Sequence, residues 1–295
     1  MISPSEIERN ELGYRLEEVR GKHLRLVKRA NPISDWSVFM VHGGGGRAGQ
    51  FKHLIKVLEP NMTIVAVDFL GHGDSPAPNR PELYTADEHL SDLTVIYNSH
   101  RRLHNVFISH CYGAIHTLRL LDTLKQEQRL TEVAGVILLD VGIRALSLGM
   151  LSSLPAFLLE YLRPLARSFS NAAIFPPTTD PALIQFENTI TSNNRMYMMK
   201  VLAQDCGNQE LWGRGLACGK AAMEGIPGAL LCGEEDGLFS VQSCRETAQY
   251  LGVASERFHV VQGAGHLPML DHPEEVIRIV SEFLSSLQGA QQNTS

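Results

Sequence analysis

The stretch Asn105-Val106-Phe107-Ile108-Ser109-His110-Cys111-Tyr112-Gly113-Ala114 decides how this chain is to be read. A short apolar run, Asn105 to Ile108, ends in small and polar residues, and helical spacing follows through Leu121. A strand that turns sharply into a helix leaves the residue at the top of the turn with its side chain exposed. Small neighbours let strand and helix approach closely. Cys111 holds that top position. The N–H of the next residue, Tyr112, opens the helix, where the helix dipole favours negative charge. The same field favours a thiolate at Cys111.

Working outward, the pattern repeats. Ser37 to Val41 is an apolar run that stops at His42-Gly43-Gly44-Gly45-Gly46, and helical spacing follows at Phe51, Leu54, Ile55 and Leu58. Met62 to Val67 ends at Asp68, with a helix over Ala86 to Tyr97. Val133 to Leu139 ends at Asp140. Continuous apolar runs alternating with amphipathic helices indicate a parallel sheet buried on both faces. Upstream, Leu12 to Arg29 has the loose alternation of a leading hairpin.

The alternation breaks between Ile143 and Gly225, where helical pieces and Pro-rich turns replace strands. It resumes with a strand at Gly228 to Cys232, a helix at Val241 to Leu251, a strand at Arg257 to Val261 and a closing helix from Pro273 to Leu287. The chain therefore divides into an α/β core over 1–142 and 226–295, with a helical cap inserted at 143–225. Such a cap covers the carboxyl edge of the sheet, where open α/β sheets bind ligands. The tail from Gly289 reads as frayed.

Composition narrows the function. With 295 residues and 44% apolar content the chain can bury a sizeable core. A net charge of −6 without a basic run argues against nucleic acid. Five cysteines, none in a CxxC pair, fit neither a disulfide framework nor a zinc site. They point to a reducing compartment, and Met1 to Arg20 lacks the apolar core of a signal peptide, so a cytoplasmic location is expected. Ala145 to Leu162 is the most apolar stretch. Pro155 and Glu160 interrupt it, so it reads as an amphipathic surface helix and not as a membrane span.

At the elbow the chain resembles the α/β-hydrolase superfamily, whose turn is usually Gly-x-Ser-x-Gly. Ser109 stands at the first glycine and Cys111 at the serine. In using cysteine it is similar to dienelactone hydrolases and polyhydroxyalkanoate synthases, whose elbows are richer in glycine. His42 to Gly46 resembles the oxyanion loop, which implies the backbone N–H of Gly44 or Gly45 as a donor beside that of Tyr112. Asp68-Phe69-Leu70-Gly71-His72-Gly73-Asp74-Ser75 resembles a turn of the cap-bearing branch, which includes epoxide hydrolases and meta-cleavage-product hydrolases. His72 is read as part of that turn. Asp236, after the strand at Leu230, matches the acid position, and His266, after the strand at Val260, matches the base. The order nucleophile, acid, histidine is that of the fold.

The resemblance implies a Cys111–His266–Asp236 triad. His266 takes the thiol proton and Asp236 fixes the imidazole tautomer. Asp140 is the alternative acid, because it too ends a strand. His42 and His110 read as structural, and Cys206, Cys218, Cys232 and Cys244 as small buried apolar side chains. Phe157, Tyr161, Tyr197 and Trp212 are the cap candidates for lining a pocket that takes an apolar acyl or aromatic group of a small-molecule substrate. The expected chemistry is cleavage of an ester, thioester or lactone through an acyl-cysteine, with no metal and no organic cofactor. Three alternatives stand beside it: an acyltransferase or synthase with the same triad, a carbon–carbon or lyase-type enzyme in which Cys111 is not acylated, and a non-catalytic binding protein on the same scaffold.

Overall fold

The computed structural model describes residues 4–146 and 154–292. Each expected apolar run is a strand: β3 (Trp36–Val41), β4 (Thr63–Asp68), β5 (His104–His110), β6 (Val133–Leu139), β7 (Gly228–Gly233) and β8 (Phe258–Val261). The leading hairpin is β1 (Tyr14–Val19) and β2 (Lys22–Arg29), joined through Arg20 and Gly21. Both turn residues have positive φ, 53° and 73°, which gives the turn the twist an antiparallel pair needs. The eight strands form one sheet in the order β1-β2-β4-β3-β5-β6-β7-β8. β1, β2 and β4 pair antiparallel, and the rest of the sheet is parallel.

Alternate residues of the central strands feed two cores. Phe39, Val41, Val65, Val67 and Phe107 point to one face. Val38, Met40, Ile64, Ala66, Val106 and Ile108 point to the other. The period of two is that of a pleated strand, and both faces are covered by helices, among them α10 (Val241–Leu251) on the first and α2 (Lys52–Leu58) and the short α11 (Pro268–Asp271) on the second. Each such side chain contributes roughly 1.5–3 kcal/mol by leaving water. Phe39 stacks on Phe107 at 5.4 Å, and Tyr97 from the flanking helix α3 (Ala86–His100) closes the group at 5.2 Å from Phe39.

Two expectations are corrected at the ends. An N-terminal helix, α1 (Pro4–Leu12), precedes the hairpin, with Leu12 and Glu8 buried. The closing helix α12 (Pro273–Gln292) runs beyond Leu287 through the expected frayed segment, while residues 293–295 lie outside the described residues.

The inserted segment is helical, with α5 (Ala156–Tyr161), α6 (Arg163–Ile174), α7 (Pro181–Thr191), α8 (Met196–Cys206) and α9 (Gln209–Ala222). Of the expected surface helix at 145–162, residues 147–153 lie outside the described residues. α9 packs on α4 (Tyr112–Gln126), where Gly215 and Gly219 leave room for Ile115 and Leu118. By packing it belongs to the layer that flanks the sheet. Among the described residues no helix is long and apolar enough to cross a membrane.

Candidate active site

The elbow has the strained geometry its residues suggest. Cys111 links β5 to α4 at φ 49° and ψ −119°, a conformation L-residues seldom adopt. Gly113 is required here, because a Cβ would lie 2.4 Å from the His42 carbonyl oxygen and 2.5 Å from that of Val41. Ser109 is tolerated where the resemblance has glycine, because its hydroxyl pairs with Thr117 at 2.7 Å inside the core. Tyr112 opens α4, so its N–H has no partner within the helix. Its phenol turns away and donates to Asp205 at 2.9 Å.

His266 and Asp236 come from the turns after β8 and β7. The His266 Nδ1–H donates to Asp236 Oδ2 at 2.8 Å. Asp236 Oδ1 accepts from the backbone N–H groups of Leu238 and Phe239 at 2.7 and 3.2 Å. Cys111 lines the same cavity as His266 and is among the groups whose charge acts on the imidazole. Burial alone would push the His266 pKa down. The charges of Asp236 and Cys111 outweigh it, and the pKa stands well above the usual histidine value. Burial likewise opposes ionisation of Asp236, but the His266 charge and the hydrogen bonds hold its pKa below the usual carboxylate value.

Asp140 lies beside this pair, at the end of β6 and with a positive φ of 51°. Its Oδ1 accepts from Gly233 N–H at 2.8 Å, while Oδ2 is buried without a partner. Burial, then repulsion by Asp236, pushes its pKa well up. The two carboxyls thus differ: the surroundings favour the charged form of Asp236 and disfavour that of Asp140. Asp140, Asp236 and His266 are the one described group with metal-like spacing, their ligand atoms lying within 4.8 Å of one another. Both oxygens of Asp236 are already committed to hydrogen bonds, and burial disfavours an anionic Asp140. The donors serve the histidine and do not fit a cation.

The turn after β4 is structural. Buried Asp68 accepts from the N–H groups of Ala48 and Asp74 at 2.7 and 2.9 Å, and the Ser75 hydroxyl donates to its carbonyl at 2.6 Å. His72 lies against His42 at 4.8 Å and away from the cavity. His42 Nε2 accepts from Phe69 N–H at 3.1 Å, which leaves Nδ1 to donate to the Gly43 carbonyl. His110 Nε2 is bonded to the His266 carbonyl at 2.8 Å.

A cavity of about 330 Å³ opens over Cys111 and His266, with Gly44 and Gly45 in its wall. From the inserted helices it is lined by Ala166, Ile174, Met196, Met199, Leu202 and Cys206, among others. All four expected cap residues are corrected, since none lines it. Phe157 and Tyr161 lie on the solvent face of α5, 78% and 82% exposed. Tyr197 turns to the 77–78 turn and donates to the Ala77 carbonyl at 2.5 Å. Trp212 is fully buried on α9 and donates to the Gly142 carbonyl at 2.8 Å. Cys206, expected to be an inert core thiol, instead faces the site.

Two further features were not expected. Arg47, just past the glycine loop, is buried and forks onto two carboxylates, Glu8 of α1 at 2.6 and 2.8 Å and Glu187 of α7 at 2.6 and 2.7 Å. The C-terminal end of α6 is bonded to the loops of both Asp236 and His266. The Ala173 carbonyl accepts from Gly237 N–H at 2.9 Å, and the Ile174 carbonyl accepts from His266 N–H at 2.8 Å.

Residues 38–279 match the alpha/beta hydrolase family. The chain belongs to that family. Among curated proteins, mouse Protein ABHD8 is 25% identical over 265 residues, which is 88% of this chain and 57% of that protein, so the chain spans little more than half the length of that relative. A Bacillus subtilis (strain 168) protein named a putative 2-succinyl-6-hydroxy-2,4-cyclohexadiene-1-carboxylate synthase is 25% identical over 88% of this chain and 94% of its own length. A thermophilic esterase from Thermogutta terrifontis superposes with a TM-score of 0.73 at 18% identity, covering 93% of this chain and 97% of that one. The enol-lactonase from Burkholderia xenovorans LB400 superposes with a TM-score of 0.74 at 16% identity, over 92% of this chain and all (100%) of that one. At that identity these structures establish the shared fold of this alpha/beta hydrolase and nothing finer.

Proposed function

We propose that this alpha/beta hydrolase cleaves an ester, thioester or lactone of a small molecule through an acyl-Cys111 intermediate. The observation that carries the reading is the single cavity in which Cys111 meets a His266 already bonded to ionised Asp236. The Cys111 thiolate, paired with the His266 imidazolium, attacks the carbonyl carbon. The N–H groups of Tyr112 and of Gly44 or Gly45 hold the oxyanion. His266 then protonates the leaving group, and with the proton gone it activates the water that cleaves the thioester. Methionine, leucine and alanine side chains in the wall suit an apolar acyl or aromatic group. The core over 1–142 and 226–295 carries this chemistry, and within the inserted segment 143–225 the helices α6, α7 and α8 roof it.

The resemblance to the Bacillus protein, named a putative synthase, over nearly its whole length supports a second reading, a lyase- or synthase-type reaction in which Cys111 is never acylated. Intact mass after brief incubation with a p-nitrophenyl ester separates the two. Hydrolysis requires an acyl adduct that digestion maps to Cys111 and that Cys111→Ala lacks along with turnover. Unchanged turnover in Cys111→Ala sinks the mechanism. Adding an alcohol, amine or thiol acceptor then shows whether water or another nucleophile completes the reaction.

A further inference from the structure

We propose that Cys111 and Cys206 form a reversible disulfide when the protein meets a hydroperoxide, a modification that consumes the nucleophile and ties the inserted helix α8 to the elbow. The two thiols belong to one site. Both line the cavity, and both are nearly buried, at 4% and 5% exposure. Two successive glycines separate them. A Cβ on Gly43 would lie 3.0 Å from Cys111 Cβ, and one on Gly44 would lie 3.3 Å from Cys206 Sγ. Cys111 thus borders Gly43 and Cys206 borders Gly44, beside the methyl groups of Leu202, so the two thiols flank adjacent residues of one loop. The residues next to the two cysteines, Tyr112 and Asp205, are bonded at 2.9 Å, so the C-terminal turn of α8 already rests on the start of α4.

The two cysteines have opposite electrostatic settings. The His266 imidazole, whose pKa is raised, shares the cavity with Cys111, and a charged imidazole beside a thiol favours attack by its sulfur. Burial, and then the charge of Cys111, pushes the Cys206 thiol well up, so it stays protonated. A cysteine set beside an imidazole and a second thiol is the arrangement of redox-sensing sites.

The steps balance. The Cys111 thiolate attacks one oxygen of the hydroperoxide and the O–O bond breaks. The departing alkoxide or hydroxide takes the proton of the His266 imidazolium and leaves as alcohol or water. Cys111 becomes a sulfenic acid, oxidised by two electrons while the peroxide is reduced by two. The Cys206 sulfur then displaces the sulfenic hydroxyl, which leaves as water with the thiol proton. A dithiol reverses the reaction. Closing an S–S bond to about 2.0 Å brings sulfur over Gly44, where the oxyanion of the hydrolase reaction would sit. The inference shares with the hydrolase reading only the Cys111–His266 pair.

The test is mass spectrometry on the reduced, full-length protein treated with hydrogen peroxide and quenched with N-ethylmaleimide. The expected product is two hydrogen masses lighter, blocks two alkylation sites, and gives a peptide joining Cys111 to Cys206. Dithiothreitol restores the starting mass and, in parallel, the starting ester turnover. In Cys206→Ser the link cannot form, and Cys111 proceeds to the sulfinic acid, two oxygen masses heavier and not recovered by dithiothreitol. Cys232 and Cys244 also touch one another, but both are fully buried and neither lines the cavity, so they serve as the control pair. Wild type accumulating sulfinic acid as fast as Cys206→Ser, or linking Cys232 to Cys244 instead, overturns the proposal. A Cys111–Cys206 link in a protein with no ester turnover would uphold it and count against the hydrolase reading.

Discussion

Mild acid should destabilise this protein steeply, and the structure gives the slope. Five imidazoles are buried around the elbow: His42, His72, His89, His110 and His116. His72, His89 and His116 have ring nitrogens without partners, and Phe69 lies against His42, His89 and His116. Burial first, and in most of them the charge of neighbouring histidines or Arg119, lowers their pKa, to about 4 for His72 and about 3 for His110 and His116. His42 and His89 are also held well below the ordinary value. An unfolded histidine titrates near 6.5. Between about pH 6.5 and about 4 the unfolded chain therefore binds protons the folded one refuses. The stability these groups provide is full above about 6.5 and is lost as the pH falls.

Each histidine adds about 1.4 kcal/mol per pH unit. Asp68, pushed by burial up to about 7, and Asp140, also raised, act in the opposite sense, since they are protonated when folded and ionised when unfolded. Five protons less two leaves a net slope of about 4 kcal/mol per pH unit. Asp92, Asp205 and Asp271, raised chiefly by burial, flatten the acid end. His266, with its pKa raised, is charged in both states below about 6 and adds no slope. Against a total stability of roughly 5–15 kcal/mol, the loss of up to about 8 kcal/mol over two pH units removes a large share of it. Urea midpoints by far-UV circular dichroism, taken between about pH 7 and about 5, read the slope. His116→Phe, in a niche of Phe69, His89 and Tyr112, should lower it by about 1.4 kcal/mol per unit. A midpoint constant across that range, or an unchanged slope in His116→Phe, refutes the reasoning.

Steady-state kinetics assign the acid. Asp236→Asn should lower kcat by up to about 10⁴-fold, since the His266 tautomer is lost, with little change in KM. Asp140→Asn keeps an acceptor for Gly233 and should stay within about tenfold of wild type; the reverse order of effects would make Asp140 the triad acid. Arg47→Met strands two buried carboxylates and should cost about 3–5 kcal/mol in urea unfolding. Adding Glu8→Gln and Glu187→Gln should recover most of that loss, and no recovery would show that the guanidinium matters by its packing alone.

The parts of the molecule that follow from local pattern were legible. β3 to β8 could be read because strands buried on both faces need unbroken apolar runs. The elbow could be read because Gly113 must admit the His42 carbonyl. Asp236 and His266 stood at strand ends in the order the fold demands. What escaped depends on which way a helix faces once packed. Phe157 and Tyr161 look like pocket residues by composition, yet they lie on the outer side of α5, while Met199 and Leu202 of α8 turn inward. Cys206 carries no local mark that sets it apart from Cys232. The Glu8–Arg47–Glu187 cluster joins residues 39 and 140 positions apart, which no window of sequence brings together.

The backbone clasp at the end of α6 has a consequence for how substrate and chemistry communicate. Gly237 and Gly265 lack side chains where a Cβ would strike Ala173 at 2.7 Å and the Ile174 carbonyl at 2.3 Å, so the helix end reaches both loops directly. The front of the same helix, from Arg163 to Asn171, lines the cavity. α6 is thus a rigid lever with its short arm on Asp236 and His266. On the proposed mechanism, a ligand that tilted its long arm would alter the alignment of Asp236 and His266 without touching either residue. Fit at the roof and basicity at the floor would then be one mechanical variable.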